Sequence, residues 1–282
     1  MRVAVIGGGL MGSGIAEVCA RAEVDTTVVE ADAEHAERTR VTIERSLDRA
    51  VRAGKLERAE RDAATGRLAV TQRLDEVEGA DAAIEAIVES EPAKRELFAK
   101  LDRLLPEASF LASNTSSVPI MKLAAETSRP ERVLGLHFFN PVPVLKLVEV
   151  VRSIMTADDV VDEAKSFAAG KLGKTPIDAK DRAGFVVNAL LVPYLLSAIR
   201  MYESGFASKE DIDEGMRLGA AHPMGPLALA DLIGLDTLVA VAESLYEEFR
   251  DASQVPPPLL LRLVEAGLLG RKSGQGFYSY GK

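Results

Sequence analysis

His137 ends an apolar run, residues 133–136, and is followed three residues later by Asn140 and twelve residues later by Glu149. Imidazole is the side chain whose ordinary titration falls near neutrality, and a carboxylate beside it can hold one tautomer and stabilise the protonated ring. Glu149 is itself embedded in an apolar stretch, residues 145–151, where strand alternation places it on the face of Leu147 and sets Lys146, Val148 and Val150 on the other. A carboxylate sharing a face with leucines is expected to be partly buried and to need a partner. The two residues therefore read as a general base and its orienting acid. The remaining histidines lack such a frame: His35 lies in a charged helical segment, and His222 precedes Pro223 in a loop.

A base needs a reaction, and the N-terminus supplies one. Residues 3–6 form a short apolar run suited to a central parallel strand, and Gly7-Gly8-Gly9-Leu10-Met11-Gly12 follows before a helical pattern begins. In such a loop Gly7 permits the tight turn, Gly9 lets a pyrophosphate approach the backbone, and Gly12 lets helix and strand pack closely. The helix N-terminus offers free N–H groups and partial positive charge to phosphate. Gly7, Gly9, Leu10, Met11 and Gly12 are thus expected to face a dinucleotide. Residues 26–30 read as the second strand, and Glu30 at its end lies eighteen residues beyond Gly12. Its carboxylate can accept hydrogen bonds from ribose hydroxyls and would repel a 2′-phosphate, so NAD(H) is predicted over NADP(H). A base beside a nicotinamide implies alcohol dehydrogenation.

The elements that must position these groups alternate. Strands are expected at residues 82–88, 110–113, 133–137, 145–151 and 175–178, with helices at 94–104 and 120–126 between them. Such alternation predicts an α/β doubly wound sheet. Residues 33–67 depart from it: Ile43, Leu47 and Val51 have helical spacing in a charged stretch broken at Gly54-Lys55, which predicts an inserted helical hairpin projecting from the sheet. After residue 181 the pattern becomes helical, with a capped start at Ser208, and a strand returns only at 277–280. The expected domains are 1–182, including the hairpin, and an all-α domain at 183–282.

The net charge of −9 argues against nucleic acid as a partner, because phosphate-backbone binding is driven by Lys and Arg. The chain has one cysteine, Cys19, which excludes an intrachain disulfide. No apolar run reaches the length of a membrane span, and a strand beginning at Val3 leaves no room for a signal peptide, so the expected location is the cytoplasm with no membrane partner.

The full set of motifs resembles the L-3-hydroxyacyl-CoA dehydrogenase family. The resemblance rests on residues 7–16, on Ser113-Asn114-Thr115-Ser116-Ser117, on His137-Phe138-Phe139-Asn140-Pro141 and on Leu147-Val148-Glu149-Val150. It extends to His222-Pro223-Met224-Gly225-Pro226-Leu227 and to residues 270–278, so it covers the whole chain with motifs in family order. It implies a Rossmann-like domain, a helical dimerisation domain and hence a homodimer. The implied substrate is an L-3-hydroxyacyl-CoA thioester, with 3-hydroxybutyryl-CoA the expected one, and the implied cofactor is NAD. His137 falls at the family's base and Glu149 at its partner. Ser116, Asn140 and Asn188 fall where family members contact substrate or nicotinamide. Glu89, Lys94 and Lys272 fall at cofactor positions, and Ser46 on the arm that grips CoA. Two departures stand out: Glu30 replaces the usual aspartate, and Ala53 stands where some members carry a CoA-binding lysine, with Arg52 or Lys55 available to substitute. The same pair could also serve a carrier-protein thioester or a small hydroxy acid, and the fold alone could serve as a cofactor-binding module without turnover.

Overall fold

The computed structural model describes residues 1–281. The chain divides into two compact units, Met1–Arg182 and Ala183–Lys282.

The first unit runs β1 (Arg2–Ile6), α1 (Leu10–Arg21), β2 (Asp25–Val29), α2 (Ala33–Arg52), α3 (Arg58–Gly66), β3 (Leu68–Thr71), β4 (Ala82–Glu85), α4 (Glu91–Leu104), β5 (Phe110–Ser113), α5 (Ile120–Ala124), β6 (Val133–Phe138), β7 (Leu147–Arg152), α6 (Asp158–Ser166) and β8 (Thr175–Lys180). One eight-stranded sheet has the order β3-β2-β1-β4-β5-β6-β7-β8. The strands from β3 to β6 pair in parallel, β6 pairs with β7 antiparallel, and β7 pairs with β8 in parallel. Strand order reverses at β1, whose neighbours β2 and β4 carry the chain in opposite directions. In such sheets the crevice beyond the carboxyl ends of the strands at that point is where ligands bind. Val3, Val5, Ile84, Phe110, Leu134 and Leu136 are buried against Ile15 and Cys19 of α1 and against Val160 and Ala164 of α6.

Several elements differ from the sequence expectation. The edge strand β3, Leu68-Ala69-Val70-Thr71, was not expected: its apolar run is too short to stand apart from the helical hairpin it follows, and as an edge strand it is only partly buried. The helix α6 was also missed. β2 stops at Val29, so Glu30 follows the strand rather than ending it, and β4 stops at Glu85, short of the 82–88 expected. Strict alternation fails in β7, where Val148, Glu149 and Val150 are all buried because both faces of this interior strand are covered. The helical hairpin does not simply project: Ile43 and Leu47 of α2 and Ala64 of α3 join the core with α1.

The second unit contains α7 (Val187–Glu203), α8 (Lys209–Gly219), α9 (Pro226–Ile233), α10 (Leu235–Phe249) and α11 (Pro258–Glu265). Leu195, Leu196, Ile199, Leu227, Leu238 and Leu245 form its core. Ser208 caps α8 by accepting from the Asp211 N–H at 3.1 Å. Residues 277–280 are not a strand; they form a loop with an isolated bridge between Gln275 and Ser279. The fully buried Asp231 carboxylate accepts from the N–H groups of Phe277 and Tyr278, both at 2.9 Å, and from the Tyr280 hydroxyl at 3.0 Å. A Cβ at Gly276 would lie 2.0 Å from Asp231 Oδ1, so this tail signature is shaped around one buried carboxylate.

Candidate active site

His137 and Glu149 face each other directly across the antiparallel β6–β7 seam. Nδ1 of His137 lies 2.7 Å from Glu149 Oε2, with the histidine 5% and the glutamate 0% exposed. A carboxylate can only accept, so Nδ1 carries the proton and Nε2 of the neutral ring is left as an acceptor. Ser116 Oγ sits 3.2 Å from Nε2, on the turn that follows β5. The Phe139 ring packs edge-on against the imidazole at a centroid distance of 4.7 Å. Asn114 anchors the end of β6, its Oδ1 accepting from Phe138 N at 2.9 Å. Exposed Asn140 follows, joined to Pro141 by a cis peptide bond.

The turn bearing Ser116 is held by Glu89. One oxygen of that carboxylate, Oε1, accepts from Thr115 Oγ1 at 2.5 Å, from Ser116 N and Ser117 N at 3.0 Å each, and from Ser117 Oγ at 2.8 Å. Its other oxygen lies 3.1 Å from Lys94 Nζ. Partial burial raises the Glu89 carboxyl, but the Lys94 ammonium and the hydroxyl donors Thr115 and Ser117 outweigh it and hold the group below its ordinary value. Lys94 is 1% exposed, and its ammonium also contacts the fully buried Glu85 at 2.5 Å. Glu85 in turn accepts from Ser113 Oγ at 2.5 Å and Ile87 N at 2.7 Å. Sequence reasoning missed Glu85 altogether, since a single acid at a strand end carries no pattern. It also missed Asp181, whose carboxylate accepts from the first N–H groups of α5, Ile120 and Met121, at 2.7 Å each.

The glycine loop has the geometry a dinucleotide needs. Gly7 has φ +92°, and a Cβ there would be 2.7 Å from Ala86 O; one at Gly12 would be 1.7 Å from Gly7 O. A Cβ at Gly9 would meet nothing within 4 Å, so the loop is tight behind and open in front. Gly9 caps α1 without any side-chain hydrogen bond, which leaves the first N–H groups of that helix, from Leu10 and Met11 onward, to a ligand. Glu30 Oε1 accepts from Gly8 N at 3.0 Å and from Thr39 Oγ1 at 2.7 Å, so the acid that follows β2 also pins the loop. These residues fit the adenosine and pyrophosphate of NAD.

Ser116, His137, Glu149, Glu89 and Lys94 thus form one connected network at the carboxyl edge of the parallel strands. Ser46 is half-buried on α2. Asn188 and Lys272 belong to the second unit: Asn188 is in the first turn of α7, and Lys272 Nζ is 2.6 Å from Asp236 Oδ2. His35 pairs at 2.8 Å with Asp32, the exposed N-cap of α2, and His222 contacts the Tyr194 hydroxyl at 3.2 Å. Neither is backed by a buried carboxylate. Among the described residues no cluster of three or more potential metal ligands occurs, and no helix is long and apolar enough to cross a membrane.

A dinucleotide loop at the strand-order reversal and a carboxylate-held histidine on the same sheet edge define an NAD-dependent oxidoreductase. Comparison with known proteins carries the assignment further. Residues 2–182 match the 3-hydroxyacyl-CoA dehydrogenase NAD-binding domain, and residues 184–280 the 3-hydroxyacyl-CoA dehydrogenase C-terminal domain. The chain belongs to the 3-hydroxyacyl-CoA dehydrogenase family. It is 56% identical to a 3-hydroxybutyryl-CoA dehydrogenase of Mycobacterium tuberculosis over 99% of this chain and 98% of that one. It is 43% identical to the human mitochondrial hydroxyacyl-coenzyme A dehydrogenase, over 99% and 90%. The crystal structure of the (S)-3-hydroxybutyryl-CoA dehydrogenase PaaH1 from Ralstonia eutropha superposes with a TM-score of 0.94 at 43% identity, covering 100% of this chain and 99% of that one.

Proposed function

We propose that this protein interconverts L-3-hydroxyacyl-CoA and 3-ketoacyl-CoA, with 3-hydroxybutyryl-CoA as the preferred substrate, and that His137 is the base. The observation carrying this reading is the hydrogen-bonded chain Ser116–His137–Glu149. In oxidation, Nε2 of His137 takes the proton of the 3-hydroxyl as hydride leaves C3. The NAD cofactor, when bound, supplies the hydride acceptor. Glu149 keeps Nδ1 protonated and stabilises the imidazolium as it forms. Ser116 donates to Nε2 in the resting site and is placed to pass that position to the substrate hydroxyl. Asn140 and Asn188 orient the thioester and nicotinamide, Lys272 the cofactor, and Glu89 with Lys94 fixes the Ser116 turn beside it. Because the reduction direction uses imidazolium as the acid, the two directions should have opposite pH dependence.

The test is steady-state reduction of acetoacetyl-CoA with NADH and NADPH in parallel. Wild-type protein should turn over with NADH preferred, and His137→Gln should lose at least about 100-fold in kcat while binding NADH normally. Near-normal turnover of that variant sinks the assignment. We also propose that the second unit forms a homodimer, a reading supported by Leu190, Phe206 and Leu218, which are 73%, 80% and 74% exposed. Sedimentation as a monomer at micromolar concentration would reject it. A buried free thiol, Cys19, suits the cytoplasm, where we place the protein.

A further inference from the structure

The core-facing stripe of α2 is Ala36, Thr39, Ile43 and Leu47, the spacing of one buried helix face. Thr39 is its polar member, 2% exposed, and a buried hydroxyl has to find an acceptor. A threonine inside a helix can donate to the carbonyl one turn back, as Thr42 does to Arg38 O at 2.7 Å and Thr65 to Arg61 O at 2.9 Å. Thr39 instead reaches out of its helix. Its Oγ1 lies 2.7 Å from Glu30 Oε1 and 3.0 Å from Gly8 O. A hydroxyl has one proton, and the closer, charged oxygen is the stronger acceptor, so Thr39 donates to Glu30. Gly8 O is served by the Ser13 hydroxyl.

The same Glu30 oxygen accepts from Gly8 N at 3.0 Å. Oε1 is therefore pinned from two sides, by the glycine loop and by α2, while no donor among the described residues reaches Oε2. Gly8 shows how closely these groups fit. It is not one of the three fingerprint glycines, and its φ is not positive, so the backbone makes no demand for glycine there. A Cβ on it would nevertheless lie 2.4 Å from Thr39 Oγ1, 2.5 Å from Thr39 Cγ2 and 2.8 Å from Glu30 Oε1. Thr39 is β-branched, buried and stiff about χ1, so it would not give way cheaply. The glycine at position 8 is thus required by the two side chains that close on the loop.

We propose that Thr39 is a positioning residue for the cofactor: it locks the Glu30 carboxylate against the glycine loop, so that Oε2 is the oxygen presented to the adenosine ribose of NAD. The lock settles the glutamate's rotamers during folding rather than on binding, which raises affinity without any contact between Thr39 and the cofactor. It also keeps the negative charge from swinging aside for a 2′-phosphate, so one buried hydroxyl sharpens the preference for NAD over NADP. The inference rests on the reading of Glu30 as the ribose acceptor.

The experiment reads binding directly, by fluorescence titration of NADH and NADPH with wild type, Thr39→Val, Thr39→Ser, Glu30→Ala and Thr39→Val/Glu30→Ala. Valine keeps the shape of the side chain and removes the hydroxyl. Thr39→Val should raise Kd for NADH about fivefold or more and narrow the gap between NADH and NADPH. Thr39→Ser keeps the hydroxyl and should bind NADH within about twofold of wild type. In the Glu30→Ala background the valine should add nothing, because the group it positions is gone. Thr39→Ala takes the place of the valine variant if that one does not fold. A Thr39→Val Kd within about twofold of wild type while Glu30→Ala binds weakly, an equal loss in both backgrounds, or a serine variant as weak as the valine overturns the proposal. Glu30→Ala binding NADH like wild type refutes the ribose reading itself, and the lock with it.

Discussion

Replacing Glu149 by glutamine separates the two things a carboxylate can do for His137. The amide has nearly the same shape, and its oxygen can still accept from Nδ1, so ring orientation and tautomer survive. What disappears is a unit of negative charge 2.7 Å from the ring nitrogen, in a site where the glutamate is 0% exposed. Exchanging a charge-assisted hydrogen bond for a neutral one costs about 1–2 kcal/mol. A Coulomb estimate for charges ~4 Å apart at an effective dielectric of ~20 gives about 4 kcal/mol. At ~1.4 kcal/mol per decade, these bracket a loss of about 10- to 1,000-fold in kcat. The loss should appear in 3-hydroxybutyryl-CoA oxidation, the direction in which imidazolium forms, with NAD affinity unchanged. The glutamine also places an extra N–H in a buried position, worth ~1–3 kcal/mol of stability if unpaired, so a thermal melt accompanies the kinetics. A kcat within threefold of wild type, in a variant that melts normally, would show that the charge of Glu149 is irrelevant and refute its electrostatic role.

Lys94→Met should strand the fully buried Glu85, at about 3–5 kcal/mol, lowering the melting temperature of the first unit by about 6–20 °C as read by calorimetry. Adding Glu85→Gln should recover much of that loss, and a single variant that melts within about 2 °C of wild type would contradict the buried pair. Because the Glu89 carboxyl is held below its ordinary value of 4.5, the unfolded chain binds more protons there; its contribution is present above that value and fades as pH falls through the lower folded value. Glu89→Gln should accordingly flatten the acid limb of a melting-temperature profile taken from about pH 6 to about pH 3, and should lower kcat by loosening the Ser116 turn.

The parts legible in the sequence were those whose signal is local. Gly7, Gly9 and Gly12 lie within one turn, and His137 and Glu149 each sit in an apolar run that announces burial. That the two are register partners was not legible, since alternation along β7 breaks down when both faces are covered. The Glu85–Lys94–Glu89 network was illegible for a different reason. The family resemblance marks Lys94 as a cofactor position, and only the meeting of α4 with the end of β4 shows that it is buried and held by two acids. The edge strand β3 and the misread 277–280 tail show the converse error: four apolar-leaning residues can be a strand without looking like one, and an aromatic run can look like a strand while clasping a buried aspartate.

The antiparallel seam between β6 and β7 has a consequence for how such an enzyme can change. His137 and Glu149 are set opposite each other by backbone pairing, and a one-residue slip would turn the carboxylate to the other face of the sheet. The segment joining them, residues 139–146, adds to a facing already set by the strands, with Phe139 packed on the imidazole. Changes beyond Asn140 that preserve the strand register leave the proton-transfer pair facing, whereas a change of length that shifts the register separates it.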